Sequence, residues 1–200
     1  MQVPAEVLRP DTQTLHGRAS SPQGVTRCLW TIGHPILLDG ACQSCEANEL
    51  IYPMHYNQFA FVADTEGAGM HRGGLATVRE WEIESEQAQL QMRTDRTRTR
   101  PWGLAGGHAG AHSRTFVVLE GREREIGKET LMMKKGDILR LQTAGAGGWG
   151  DPATREPDAV LRDVVEGKVT AERARKTYRV AVDANGTAVA DAETRALREA

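Results

Sequence analysis

Apolar and polar positions alternate with a period of two through "HYNQFAFVAD", residues 55–64, which places Phe59 and Phe61 on one side of a strand. The same period in "LATVREWEIESEQAQLQMRTD", residues 75–95, sets Trp81 and Ile83 against Glu80, Glu82 and Glu84 and predicts a hairpin with one exposed face. Two more strands are expected in "RTFVVLEGREREI" and "ETLMMKKGDILRLQT", with turns at Gly121 and at Gly136-Asp137. Beyond residue 152 the period lengthens. "EPDAVLRDVVEGKV" predicts a helix capped by Asp158 and closed at Gly167, and "TAERARKTY" a second one capped by Thr170. Asn185-Gly186 predicts a tight turn, and "DAETRALREA" a last helix capped by Asp191. The expected fold class is α+β: a β-rich body over residues 31–152 and a helical tail over 153–200, preceded by a polar arm over residues 1–30.

Composition narrows the partners. With 25 basic and 27 acidic side chains the net charge is −2, so general affinity for nucleic acid or an anionic membrane surface is not expected. No stretch approaches the ~20 apolar residues of a membrane helix, and Glu6, Arg9 and Asp11 interrupt the start of the chain where a secretory leader would be apolar. Three cysteines, Cys28, Cys42 and Cys45, make an odd set that suits a reducing compartment, so a cytoplasmic protein is expected. Aromatic residues are 5% and glycines number 21, which suggests a turn-rich domain with a modest core, open to completion by a partner.

The glycines concentrate in "TAGAGGWGDP", residues 143–152. A phosphate loop of the Walker type needs Gly-Lys-Ser/Thr at the start of a helix, whereas here Gly148 is followed by Trp149, Gly150 and Asp151. Glycines at 145, 147, 148 and 150 also miss the Gly-x-Gly-x-x-Gly dinucleotide spacing, and no βαβ unit surrounds them. The remaining readings are a turn and a close approach of main chains. The expected arrangement has Gly147 and Gly148 running flush against neighbouring protein, with Trp149 as an anchor and Asp151 held out of helix by Pro152.

Three other groups are candidates for chemistry. Asp64, His71 and Arg72 lie around the flexible turn "DTEGAGMHRGG", where His71 is a candidate general base; the alternative is a structural histidine. Arg96, Arg98 and Arg100 alternate along an extended stretch beside Trp102, a candidate anion or partner site; the alternative is a solvated row salt-bridged to Glu80–Glu86. His34, Cys42, Cys45 and His55 contain the Cys-x-x-Cys half of a zinc site, against the plainer reading of small buried thiols. No Gly-x-Ser-x-Gly elbow occurs, and the glycines around His108 and His112 argue against a helix that would put both on one face.

Four motifs in order give a family resemblance over about residues 45–199. "CEANELIYP" with Glu46 and Glu49, "DTEGAGMHRGGLATVRE", "RPWGLAGGHAG" and "GAGGWGDP" followed by "EPDAVLRDVVEGKVTAERARKTYRVAVD" together resemble the C-terminal end of B-type hydantoinase and 5-oxoprolinase subunits. The resemblance implies an A-type partner with an ATPase fold that uses ATP to phosphorylate a cyclic amide or imide on its carbonyl oxygen. The B-type subunit then helps open the activated ring. Related systems carboxylate ketones, and a third reading is a non-catalytic assembly module. The family's metal-bearing N-terminal half is expected to have no counterpart in this chain, and its pattern lacks the Cys42-Cys45 pair, so the zinc reading draws no support from the resemblance; a divalent metal stays a candidate cofactor beside the partner's ATP.

Overall fold

The structure is a computed structural model that describes residues 45–183 and 185–199. The expected arm over residues 1–30, together with His34 and Cys42, lies outside the described residues. Among the described residues the first element is a short helix, α1 (Cys45–Ile51), tied to the next strand by Glu49, whose Oε1 accepts from Tyr56 N at 2.7 Å. Seven strands follow: β1 (Met54–Val62), β2 (Ala76–Ile83), β3 (Ala88–Gln91), β4 (Arg114–Leu119), β5 (Arg122–Ile126), β6 (Thr130–Met133) and β7 (Ile138–Gln142). Five form an antiparallel sheet in the order β1-β2-β7-β4-β5, and β3 pairs with β6 in a second, two-stranded sheet.

Alternation decides which face is buried. Thr115 and Val117 of β4 are fully buried, and Met92, Val117 and Ile126 form a core between the sheets, joined by Leu90, Leu119, Leu131 and Leu139. Each such side chain taken from water contributes roughly 1.5–3 kcal/mol. The opposite face of the large sheet carries a charge ladder in which Arg140 bridges Glu80, at 2.5 Å, and Glu123, at 2.9 Å. Such half-exposed pairs contribute about 0–1 kcal/mol each. They also account for Glu80 without the arginines at 96–100.

Two expectations about strand pairing are corrected. Residues 75–95 do not form a hairpin: β2 lies between β1 and β7, while β3 leaves for the second sheet. The end of β2 is instead tied to the turn before β7, since Ile83 N donates to Asp137 O and Gly136 N donates to Ile83 O. Residues 129–143 likewise split between sheets at the expected Gly136-Asp137 turn. Here the Asp137 carboxylate accepts from the Lys134 and Glu120 amides. Residues 114–126 do form a hairpin, whose two-residue turn has Glu120 and Gly121 at positive φ.

The tail is helical as expected: a 3₁₀ turn (Pro152–Thr154), α2 (Pro157–Val165), α3 (Ala171–Tyr178) and α4 (Asp191–Glu199). Thr170 caps α3, its hydroxyl accepting from Arg173 N. Asp158 does not cap α2. Pro157 starts the helix with its fixed φ, so Glu156 takes the cap position, and Asp158 falls in the first turn, favourable to the helix dipole. Asp191 is likewise the first residue of α4, with Thr194 N donating to Ala190 O. The expected turn at Asn185-Gly186 is present, held by the Asp183 carboxylate, which accepts from Thr187 N and Ala188 N. Among the described residues no helix is long and apolar enough to cross a membrane.

Candidate functional site

The glycine-rich stretches converge. Residues 65–74, 101–111 and 143–150 lie side by side and exchange main-chain hydrogen bonds across all three contacts. Gly67 N donates to Ala146 O, Trp149 N and His71 N exchange bonds with each other's carbonyls, Leu104 N donates to Gly148 O, and His108 N donates to Ala68 O. The separation is that of bare backbones. A Cβ at Gly145 would overlap the Thr65 carbonyl, and one at Gly69 would lie 2.6 Å from Trp149 N. The surface against which Gly147 and Gly148 run is therefore this chain's own: the Trp102 carbonyl for Gly147 and the Ala68 carbonyl for Gly148. The amides that a phosphate would need here donate instead to neighbouring carbonyls.

The helical tail is pinned to this glycine platform by two buried charge clusters. In one, Asp163 Oδ2 accepts from Arg72 Nε at 3.0 Å and Arg155 Nη2 at 2.9 Å. In the other, the fully buried Glu66 accepts from Arg173 Nε at 2.6 Å and from Tyr178 Oη at 3.2 Å, while its second oxygen is buried and meets no donor among the described residues. Ala68 sits between them in an apolar cluster with Val160, Val169, Ala174, Tyr178 and Val180. Asp64 adds a third link, accepting from Thr170 N at 2.8 Å and Thr170 Oγ1 at 2.7 Å. The sequence reading passed over Asp163, Arg155, Arg173 and Tyr178. Asp163 carried a usable signal, because it falls three residues after Val160 on the apolar stripe of α2.

Burial pushes the Tyr178 phenol well above its ordinary value, and the Glu66 carboxylate beside it adds to the shift. A phenol whose folded pKa is raised holds its proton longer in the folded state, so stability is fully present below the unfolded value of about 10 and is lost as pH rises beyond it. Equilibrium unfolding in urea between pH 8 and 11 should show stability falling above pH ~10. That decline should be reduced in Tyr178→Phe; an unchanged decline would assign it to another group.

Of the candidate catalytic residues, Asp64 and Arg72 are engaged in holding the tail, and Arg72 is buried, whereas His71 is exposed with its ring 5.5 Å from that of Trp149. The arginine row is not one extended face, because Arg96 has a φ of 60° and turns the chain; its guanidinium lies 5.5 Å from the Trp102 ring centroid, while Arg98 and Arg100 are exposed. Asp151 is exposed and caps the 3₁₀ turn by accepting from Ala153 N. Cys45 is half-buried in α1, and His55 Nδ1 lies 3.1 Å from Glu49 Oε1. Among the described residues no group of three or more His, Cys, Asp or Glu side chains is placed to hold a metal ion. The Cys42 half of the zinc expectation lies outside the described residues.

This glycine platform with its pinned helical tail coincides with three of the four motifs of the sequence, and the remaining one, "CEANELIYP", forms α1 and the lead into β1. The chain belongs to the hydantoinase B/oxoprolinase family, whose model matches residues 30–152. It is similar to the caprolactamase subunit beta of Pseudomonas jessenii, 32% identical over 186 residues, covering 86% of this chain and 31% of that protein. The crystal structure of that organism's ATP-dependent caprolactamase superposes with a TM-score of 0.66 at 28% identity, over 78% of this chain and 28% of that one. An uncharacterised protein of Methanocaldococcus jannaschii is 33% identical over 138 residues, covering 68% of this chain and 24% of its own. The nucleotide-free structure of acetone carboxylase shares the fold, with a TM-score of 0.69 at 23% identity over 80% of this chain and 26% of that one. The chain thus spans between about a quarter and a third of the length of these relatives.

Proposed function

We propose that this chain is the C-terminal module, or a small subunit, of an ATP-dependent cyclic amide hydrolase and works with an A-type ATPase partner. The observation that carries this reading is the similarity to caprolactamase subunit beta, which extends over 86% of the chain. That extent is too great for the sheets alone and reaches into the tail that Asp163 and Glu66 lock to the glycine platform. The chemistry suits a division of labour. The partner uses ATP to phosphorylate the amide oxygen, which makes the ring carbon electrophilic; water adds there, the C–N bond breaks with the nitrogen taking a proton, and a second water releases phosphate, while the B-type portion supplies a rigid surface that holds the activated ring. Rigidity matters because positioning supplies a large part of the rate when the electrophile is already activated.

The test is purification of the tagged chain from its native cells, followed by assay of the complex with ε-caprolactam, hydantoin and 5-oxoproline. ATP-dependent ring opening, with an A-type subunit present and no need for bicarbonate, is the expected result. Activity on a ketone that requires bicarbonate would replace this reading with the carboxylase one. A chain that purifies alone and turns over nothing would favour an assembly module.

A further inference from the structure

We propose that the face formed by Trp102, Leu104 and Trp149, with Arg96, Arg98 and Arg100 beside it, is the docking seat of the partner subunit, and that the partner meets it with an apolar socket rimmed by carboxylates. The inference rests on the reading that the chain works with an A-type ATPase. Backbone register puts these side chains together. Leu104 bridges Trp149 in parallel and His71 bridges it in antiparallel, and directly paired residues project to the same side. The Trp102 carbonyl packs against the bare face of Gly147, two residues before Trp149, which brings the 101–104 segment carrying Trp102 onto the same part of the platform.

Trp102 and Leu104 stand well out into solvent, 68% and 60% exposed, with Trp149 beside them at 37%. A scattered surface leucine needs no explanation, but two tryptophans and a leucine on one rigid face mark an interaction site. Indole rings held by an immobile backbone lose little further freedom on binding, and Trp and Arg dominate binding hot spots.

Charge identifies the occupant. The Arg96 guanidinium lies over the Trp102 ring. Arg98 and Arg100 are exposed and meet no carboxylate within ion-pair distance among the described residues. The acid next to them in sequence, Asp95, is bound to Lys128 Nζ at 2.6 Å. The rim is therefore basic on a protein whose net charge is −2, and an acidic surface complements it. An open face also suits a protein partner better than a small ligand, which is held in an enclosing pocket.

The test is titration calorimetry of the full chain with the separately purified A-type subunit of the same cells, at low and high salt. It uses wild type, W102A and R96E/R98E/R100E. Wild-type affinity should weaken as salt rises, W102A should lose about ten-fold or more, and the charge reversal should lose more and abolish the salt dependence. Thermal midpoints should stay unchanged, because all four side chains are exposed. Variants that bind as tightly as wild type would overturn the seat while leaving the partnership standing. Absence of wild-type binding would overturn both.

Discussion

Replacing Gly145 by alanine lowers the stability of the folded chain by about 3 kcal/mol or more, the upper end of what overpacking costs. The added Cβ would lie 1.8 Å from the Thr65 carbonyl oxygen, and a backbone atom has no rotamer through which to withdraw. Nor can either segment shift independently. Gly145 N donates to Ala111 O while Ala111 N donates to Thr65 O, so separating one pair strains the other. Gly127→Ala is the matched control, since a Cβ there meets nothing within 4 Å and the change should stay within about 0.5 kcal/mol. Urea unfolding followed by tryptophan fluorescence gives both values. Equal midpoints for the two variants would mean that the segments are not in main-chain contact.

Asp163→Ala should cost about 3–5 kcal/mol, because removing one member of a buried charge cluster leaves the others uncompensated. Two guanidinium groups lose their shared acceptor, and the Arg72 side chain is only 5% exposed. The damage should localise. Without Asp163, α2 loses its polar anchor, and the apolar cluster around Tyr178 and Val160 holds the tail to the platform together with the Glu66 and Asp64 links, which engage α3 and its cap rather than α2. Limited proteolysis should then cut within residues 155–199 while the two sheets stay intact. Asp163→Asn keeps an acceptor oxygen but not the charge, and should fall between wild type and alanine. Wild-type resistance in Asp163→Ala would show that the apolar cluster and the Glu66 and Asp64 links hold the tail without it.

Much of the fold was legible because the period of the sequence reports which side of an element is buried. The strands at β1, β2 and β4–β5, the tail helices and the Thr170 cap all follow from local pattern and local chemistry. Pairing was less legible. The stretch around Ser85–Gln87 has a turn-like composition, yet nothing local distinguishes a turn back along the same sheet from a crossing into another. The end of β2 is instead tied to Asp137, whose carbonyl accepts from Ile83 N and whose carboxylate accepts from Glu120 N, contacts distant in sequence that local pattern does not encode. The glycines were visible as close-approach residues, but their partner was not, since three distant segments each provide the surface for the other two. Arg72 read as chemistry and serves as an anchor: a charged residue next to Gly73 looks the same in sequence whether it faces substrate or Asp163. The arginine row failed at one point, the positive φ of Arg96, which periodicity does not encode.

The most direct measurement of the glycine platform is amide hydrogen exchange on the isolated chain, followed residue by residue by NMR. Gly67, His71, Leu104, His108, Gly148 and Trp149, drawn from three segments, should exchange slowly and share one opening free energy, as members of one cooperative unit do. Rapid exchange across residues 143–150 in the isolated chain, slowed when the A-type subunit is added, would contradict this and assign the glycines to the partner's surface.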